Sequence, residues 1–308
     1  MHLDESMTDA TTAYREMATL VARYAAGEGE VSTAVESLFL SRRSTPSLPL
    51  HTAQWPCFAL VVQGAKRLTL GREVYDYGVG NFLVVSLDLP VISRTTVASA
   101  KTPLLGLGLA IRPERLQELL HRVRPAAPAA EGDAVRGVAV NDADAGLVDA
   151  TLRLLRLLDT PSDIPALAPL IEQEILYRLL TGPCGPSLLR IARADSPGNR
   201  VARAVGWLRQ HFTEPLRIAD LARHAGMSVS SLHHHFSAVT AMTPMQYQKQ
   251  LRLHEARRLL WVERLDVGGA GFRVGYQSPS QFSREYRRLY GVAPSHDLAG
   301  PPRDDAPD

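Results

Sequence analysis

Val274-Gly275-Tyr276-Gln277-Ser278-Pro279-Ser280-Gln281-Phe282-Ser283-Arg284-Glu285-Tyr286 decides the fold. Gly275 turns the chain after the helix-compatible run Val267–Val274, as a residue tolerant of positive φ can. Ser278 is an N-cap, Pro279 suits the first helical position, and Gln281 stands where a capping-box partner belongs. Phe282 and Tyr286 lie one turn apart and face inward. Helix, glycine turn and capped second helix make a helix-turn-helix.

The same unit recurs upstream. Ile218-Ala219-Asp220-Leu221-Ala222-Arg223-His224-Ala225 is followed by Gly226, Ser228, and then Leu232 and Phe236. The inward residues lie six and ten positions after Gly226, but seven and eleven after Gly275, so the second turn is one residue longer. Between the units, Thr243-Pro244-Met245-Gln246 opens a helix reaching about Trp261. Its expected core is Tyr247, Leu251, Ala256, Leu259 and Leu260, with Arg252, Glu255 and Arg258 supporting one another on its surface. A leading helix over Arg200–Phe212 carries Val201, Val205, Leu208 and Phe212 on one stripe, with Trp207 at its edge. Two features weaken this pattern. Arg217 stands where a cap is expected, and Gly268 and Gly269 fall inside a helix, where each costs about 1 kcal/mol relative to Ala. Gly271 matches the close-crossing position of Ala222. The first helix of the second unit is therefore expected to be locally weak.

From Arg200 to His296 there are 14 Lys/Arg and 6 Asp/Glu, a balance of +8 in a chain whose net charge is +2, so the remainder carries −6. A basic end on a mildly acidic body fits contact with phosphate.

The stretch from Val201 to Asp297 resembles the AraC/XylS DNA-binding domain. The residues that carry the likeness are Leu221-Ala222, Gly226-Met227-Ser228, Leu232 and Phe236; Arg252-Leu253, Ala256 and Leu259-Leu260; and Val274-Gly275-Tyr276, Ser280-Gln281-Phe282, Arg284, Tyr286, Gly291 and Pro294. The resemblance implies that the second helix of each unit enters a major groove. The groove-facing residues are then Ser230, His233 and His234 on the first, and Ser280, Gln281 and Arg284 on the second. Arg284 suits a bidentate contact to guanine or a phosphate clamp; a surface ion pair is the alternative. Gln281 reads adenine or serves the capping box. Arg287 and Arg288 suit phosphate. His233-His234-His235 is not a metal site, because consecutive helical residues diverge by about 100°.

The N-terminal half reads differently. A helix over Thr12–Ala26 precedes seven short β-prone runs: Ser37–Leu40, Phe58–Gln63, Arg67–Leu70, Val74–Tyr77, Phe82–Ser86, Val91–Val97 and Leu104–Ile111. Leu60-Val61-Val62-Gln63-Gly64-Ala65-Lys66, Gly80, Phe82 to Ser86 and Asp88-Leu89-Pro90-Val91 resemble the AraC-type N-terminal domain, which implies a cupin-like β-barrel that senses a signal. Helices follow from Pro113, over about Ala143–Asp159 with Leu147, Leu152, Leu155 and Leu158, and over about Ala168–Leu180 with Leu170, Ile171, Ile175 and Leu179. Pro165 and Pro169 argue against an earlier start. These helices are expected to pack within the chain, with a homodimer contact as the alternative.

The expected class is therefore α+β. The N-terminal segment is 1–31, the cupin-like barrel 32–112, the helical connector 113–193 and the linker 194–199. The DNA-binding domain is 200–297, with helix-turn-helix units at 218–239 and 266–289, and 298–308 is a disordered tail. Hydrophobic content of 45% and charged content of 21% suit a soluble globular chain. The sequence shows no signal segment and no membrane-spanning run, so a cytoplasmic regulator without a cofactor is expected. Its expected partners are double-stranded DNA, RNA polymerase and an unknown small-molecule effector. His51 and Cys57 are candidates for ligand or redox sensing, although Cys57 also reads as a small buried hydrophobe. His51 is the sole His of the strand region and has no His-x-His partner, which argues against a metal-dependent cupin enzyme. That enzyme and a ligand-independent DNA binder are the rival readings.

Overall fold

The computed structural model describes residues 2–123, 136–192 and 196–298. Helix α1 (His2–Tyr24) leads into nine strands: β1 (Gly29–Ser32), β2 (Leu38–Arg43), β3 (Leu50–Gln54), β4 (Cys57–Gln63), β5 (Ala65–Leu70), β6 (Glu73–Gly78), β7 (Asn81–Val85), β8 (Leu89–Val97) and β9 (Leu104–Ala110). Then come α2 (Pro113–Arg122), β10 (Val138–Asp142), α3 (Ala145–Arg156), α4 (Ile164–Thr181) and α5 (Gly185–Ala192). The C-terminal half is helical: α6 (Pro197–Gln210), α7 (Ile218–Ala225), α8 (Val229–Thr240), α9 (Pro244–Trp261), α10 (Val267–Arg273) and α11 (Pro279–Tyr290).

The α+β class holds, but the strands do not close into a single barrel. They form a six-stranded sheet, β1-β2-β9-β4-β7-β10, and a four-stranded sheet, β3-β8-β5-β6. Alternation along the central strands explains the layering. On β4, Phe58, Leu60 and Val62 join the core shared with α1, α3 and α4. Cys57 and Val61 point the other way, to Leu68, Leu70 and Tyr77 of the smaller sheet. The strands beyond the seven expected runs are β1, β3 and β10, each at the edge of its sheet. Edge strands bury little: β1 and β3 have no fully buried residue, and β10 buries only Val138.

Helix α4 starts earlier than the prolines suggest. Pro165 lies in its first turn, where no backbone donor is needed, and Pro169 lies inside it. Pro169 forfeits one bond near the N-terminus, and the buried stripe Ala168, Ile171, Ile175, Leu176 and Leu179 holds the helix in place. Leu170, expected on that stripe, is 63% exposed. Residues 197–199 of the expected linker are helix: Ser196 caps α6, its hydroxyl accepting from the Asn199 amide at 3.0 Å. Residues 194 and 195, most of the Pro125–Gly137 loop and the tail from 299 lie outside the described residues.

The second core cluster does not stop at the sandwich. Leu87, Leu89 and Val91 belong to the same buried group as Val201, Leu208, Leu221, Leu232 and Phe236. The first helix-turn-helix unit therefore packs on the small sheet. The second has its own core around Leu253, Leu259, Phe282 and Tyr286.

The glycines of α10 have a reason that lies outside the helix pattern itself. Asp266 caps the helix, its carboxylate accepting from the Gly268 amide at 3.1 Å and the Gly269 amide at 3.2 Å. A Cβ on Gly269 would stand 2.7 Å from Asp266 Oδ1. Asp266→Ala is expected to lower stability by about 1 kcal/mol, the usual worth of a cap, in thermal unfolding. An unchanged midpoint would show that the cap does not hold α10.

Candidate nucleic-acid interface

Helices α8 and α11 are built alike. Ser228 caps α8, accepting from the Ser231 amide at 3.1 Å, and Ser278 caps α11, accepting from the Gln281 amide at 3.3 Å. The preceding turn runs through Gly226 at φ +67 in the first unit and Gly275 at φ +93 in the second. A Cβ on Gly275 would sit 2.0 Å from the Thr213 carbonyl, so that turn admits only glycine. Leu232, Phe236, Phe282 and Tyr286 are 0% exposed and fix the roll of both helices. Gly271 lies under the Phe282 ring, where a Cβ would meet it at 2.9 Å, and Ala222 at 1% exposure fills the matching place. Arg217 caps α7 with no side-chain bond, as its residue type implies.

The opposite faces are free. Ser230, His233 and His234 on α8 are exposed, as are Ser280, Gln281, Arg284, Arg287 and Arg288 on α11. Arg284, Arg287 and Arg288 have no hydrogen bond or ion pair among the described residues. The Gln281 side chain takes no part in the cap; its amide donates to Glu285 at 3.4 Å. Glu285 in turn accepts from the Tyr276 hydroxyl at 2.7 Å and pairs with Lys249 at 3.2 Å. The carboxylate beside Arg284 is thus already taken, which leaves the guanidinium to outside partners.

Arg252 is not part of the surface row expected of it. Arg258 pairs with Glu255 at 2.7 Å and with Glu263 at 2.7 Å. Arg252 instead reaches four carbonyls: Phe212 at 2.6 Å, Glu214 at 2.8 Å, Thr213 at 3.1 Å and Gly275 at 3.1 Å. Gln248, 6% exposed, donates to the Phe212 and Glu214 carbonyls beside it. The long helix α9 therefore ties the end of the first unit's leading helix to the turn of the second unit. At its far end Asp297 accepts from Arg257 at 2.9 Å and from the Tyr286 hydroxyl at 2.7 Å.

The sandwich grips the same assembly. Arg136 donates to the Ser237 and Ala238 carbonyls at 3.2 and 2.8 Å and pairs with Glu73 at 2.9 Å. The Gly137 amide donates to the Val239 carbonyl at 2.9 Å. The last turn of α8 is thus held by the N-terminal half, a contact that no local sequence signal marks. Tyr247 donates to the Asp88 carbonyl at 2.7 Å, and Arg209 pairs with the Asp88 carboxylate.

The two sensing candidates separate. His51 on β3 faces the DNA-binding half, its ring 5.1 Å from that of Tyr290 and 6.4 Å from that of His254. Both His254 ring nitrogens are buried without a partner among the described residues, and burial holds that imidazole neutral, its pKa pulled down to about 4. Cys57 is 1% exposed, and burial pushes its thiol up to about 12, against a weaker opposing bond from Gln54. At neutral pH it is an un-ionised, covered thiol, which fits a packing role. A thiol-specific reagent at pH 8 is expected to label Cys57 only after unfolding; prompt labelling of the folded chain would restore the redox reading.

Residues 34–187 match the family described as the AraC-type transcriptional regulator N-terminus, and residues 221–299 match a helix-turn-helix domain family. Among characterised proteins, the chain is 36% identical over 157 residues to a probable thc operon regulatory protein of Rhodococcus erythropolis, covering 46% of this chain and 45% of that one. It is 27% identical over 136 residues to the HTH-type transcriptional regulator ExsA of Pseudomonas aeruginosa, covering 44% and 49%. These alignments span about half the length of the relatives. Among solved structures, ToxT from Vibrio cholerae shares the fold at a TM-score of 0.55 and 10% identity, over 88% of this chain and 98% of that one.

Proposed function

The chain belongs to the AraC-type transcriptional regulators, and on that premise we propose that it binds double-stranded DNA sequence-specifically through the exposed faces of α8 and α11. One observation carries the reading. Two capped helices, rolled by buried aromatic residues, present polar side chains and three unpaired arginines outward. Ser230, His233, His234, Ser280, Gln281 and Arg284 are the base-edge set, and Arg287 and Arg288 the phosphate set. RNA polymerase is the further partner that transcriptional control requires, and the cytoplasm the place. No catalytic role is proposed. Leu167, Leu170 and Tyr177, exposed along α4, are the face offered for a homodimer contact.

The N-terminal half is the sensing part. ToxT, which shares the fold, is known with an unsaturated fatty acid bound. The route from sensor to reader is the grip of Arg136 and Gly137 on the last turn of α8, since a shift of the sandwich moves the carbonyls they hold.

The test is to mix the full chain with fragmented host DNA at two salt concentrations and sequence what it retains. A few promoters enriched at both salts are expected. Uniform retention that vanishes with salt would reduce the interaction to phosphate attraction and overturn the reading.

A further inference from the structure

Helices α9 and α11 open on the same signal: a hydroxyl cap, a proline, and a glutamine at the third helical position. They use the glutamine differently. In α9, Gln246 closes the capping box: its side-chain oxygen accepts from the Thr243 amide at 2.9 Å, and the Thr243 hydroxyl accepts from the Gln246 amide at 3.2 Å. In α11, Ser278 accepts from the Gln281 amide at 3.3 Å, but the Gln281 side chain turns to the next turn of the helix and donates to Glu285 at 3.4 Å. The difference lies four residues on, where α9 carries the neutral Gln250 and α11 the acidic Glu285. Residues four apart meet on one helix face, and a charged acceptor draws an amide donor more strongly than a neutral one does.

Glu285 is held by three elements. Tyr276, in the turn, donates its hydroxyl to Oε2 at 2.7 Å; Lys249, on α9, reaches Oε1 at 3.2 Å; and Gln281 donates to the same Oε1. Tyr276 is itself fixed, its ring 5.3 Å from that of Phe282 and its centroid 5.8 Å from the Arg252 guanidinium. Burial opposes the charge on Glu285, but the bonds from Tyr276, Gln281 and Lys249 outweigh it and hold the carboxyl below its ordinary range. At neutral pH it is therefore a carboxylate, which only accepts. That fixes the orientation of the Gln281 amide. With the amide oxygen towards Glu285, two acceptors would face each other. With the nitrogen there, one N–H is engaged, and the oxygen and the second N–H stay free on an exposed side chain.

We propose that Glu285 is a positioning residue for base reading, holding Gln281 with the amide edge that selects adenine turned outward. An acceptor beside a donor matches the amino group and N7 that adenine shows in the major groove. The corresponding positions of α8, counted from its capping serine, hold Ser231 and His235, so the arrangement belongs to the second unit alone. The inference rests on α11 being a reading helix; it names the base that Gln281 selects and the residue that makes it selective.

The test is selection of the full chain against random duplexes, followed by affinities for each of the four bases at the position that Gln281→Ala alters. The wild-type chain is expected to prefer adenine there by about ten-fold. Glu285→Gln keeps the size and an acceptor for Tyr276, but its amide donates as well as accepts, so Gln281 can turn either way. The adenine preference is expected to fall to about three-fold or less, with the other positions and the salt slope unchanged. In the Gln281→Ala background the same substitution is expected to change nothing further at that position, because nothing is left to position. A purely structural role would instead weaken binding to all sequences alike, in both backgrounds. That result would overturn the inference, as would an adenine preference that survives Glu285→Gln, a Gln281-dependent base other than adenine, or a Gln281→Ala chain with the wild-type profile. In each of those cases base preference elsewhere in the site leaves the DNA-binding reading standing. A wild-type chain with no base preference at any position would overturn that reading and this inference together.

Discussion

Arg284→Ala is expected to lower operator affinity by ten- to a hundred-fold, about 1–3 kcal/mol, with no change in thermal midpoint. The reason lies in how α11 is held. Phe282 and Tyr286 anchor it from beneath, and Ser278 caps its start. Arg284 contributes to none of this: it is exposed and has no partner among the described residues, because Glu285 beside it is committed to Tyr276 and Lys249. Truncation therefore removes a donor fork from the exposed side of the helix and nothing from the fold. Specificity should relax at one base position. Arg287→Ala is the control. Without its guanidinium on a phosphate, binding weakens for all sequences alike and the salt slope falls by about one. An Arg284→Ala chain that binds its operator like wild type would remove α11 from the base-reading set.

Arg252→Met should have the largest effect on the architecture. Met roughly conserves the volume but leaves the carbonyls of Phe212, Thr213, Glu214 and Gly275 without the guanidinium. Hydrogen bonds to a charged donor are worth roughly 1.5–3 kcal/mol each, not additively, so a loss of about 3 kcal/mol is expected. It should appear as a lower thermal midpoint and as a drop in operator binding steeper than stability alone explains, since the two reading helices lose their common brace. Lys cannot span four acceptors with one ammonium, so Arg252→Lys should recover only part of the loss. A variant with wild-type stability would mean that the four carbonyls are adequately hydrated without Arg252.

The DNA-binding half is legible because its signals are local. Caps, glycine turns and paired aromatics one turn apart act within a dozen residues, and Ser228, Gly226, Phe236, Ser278, Gly275 and Tyr286 all sit where that logic puts them. What stays hidden depends on distant partners. Arg252 reads as one member of a surface ion-pair row, because spacing along a helix says nothing of the carbonyls of another segment. Asp266 does not stand out as a cap, which leaves Gly268 and Gly269 without a reason in the sequence. Strands β1, β3 and β10 vanish into loops because edges bury too little to carry an apolar run. Lys66 reads only as part of a family motif, since it is the pairing of β5 with β6 and β8 that sets it across from Tyr77 and Thr95.

On the reading proposed above, one chain reads DNA with two braced helices. Selection of the full chain against random duplexes at elevated salt tests it most directly. The expected result is a site with two informative blocks whose centres lie about one helical turn, 10–10.5 base pairs, apart, with Arg284→Ala erasing information from only one of them. A single block, or no sequence preference that survives the salt, would contradict it.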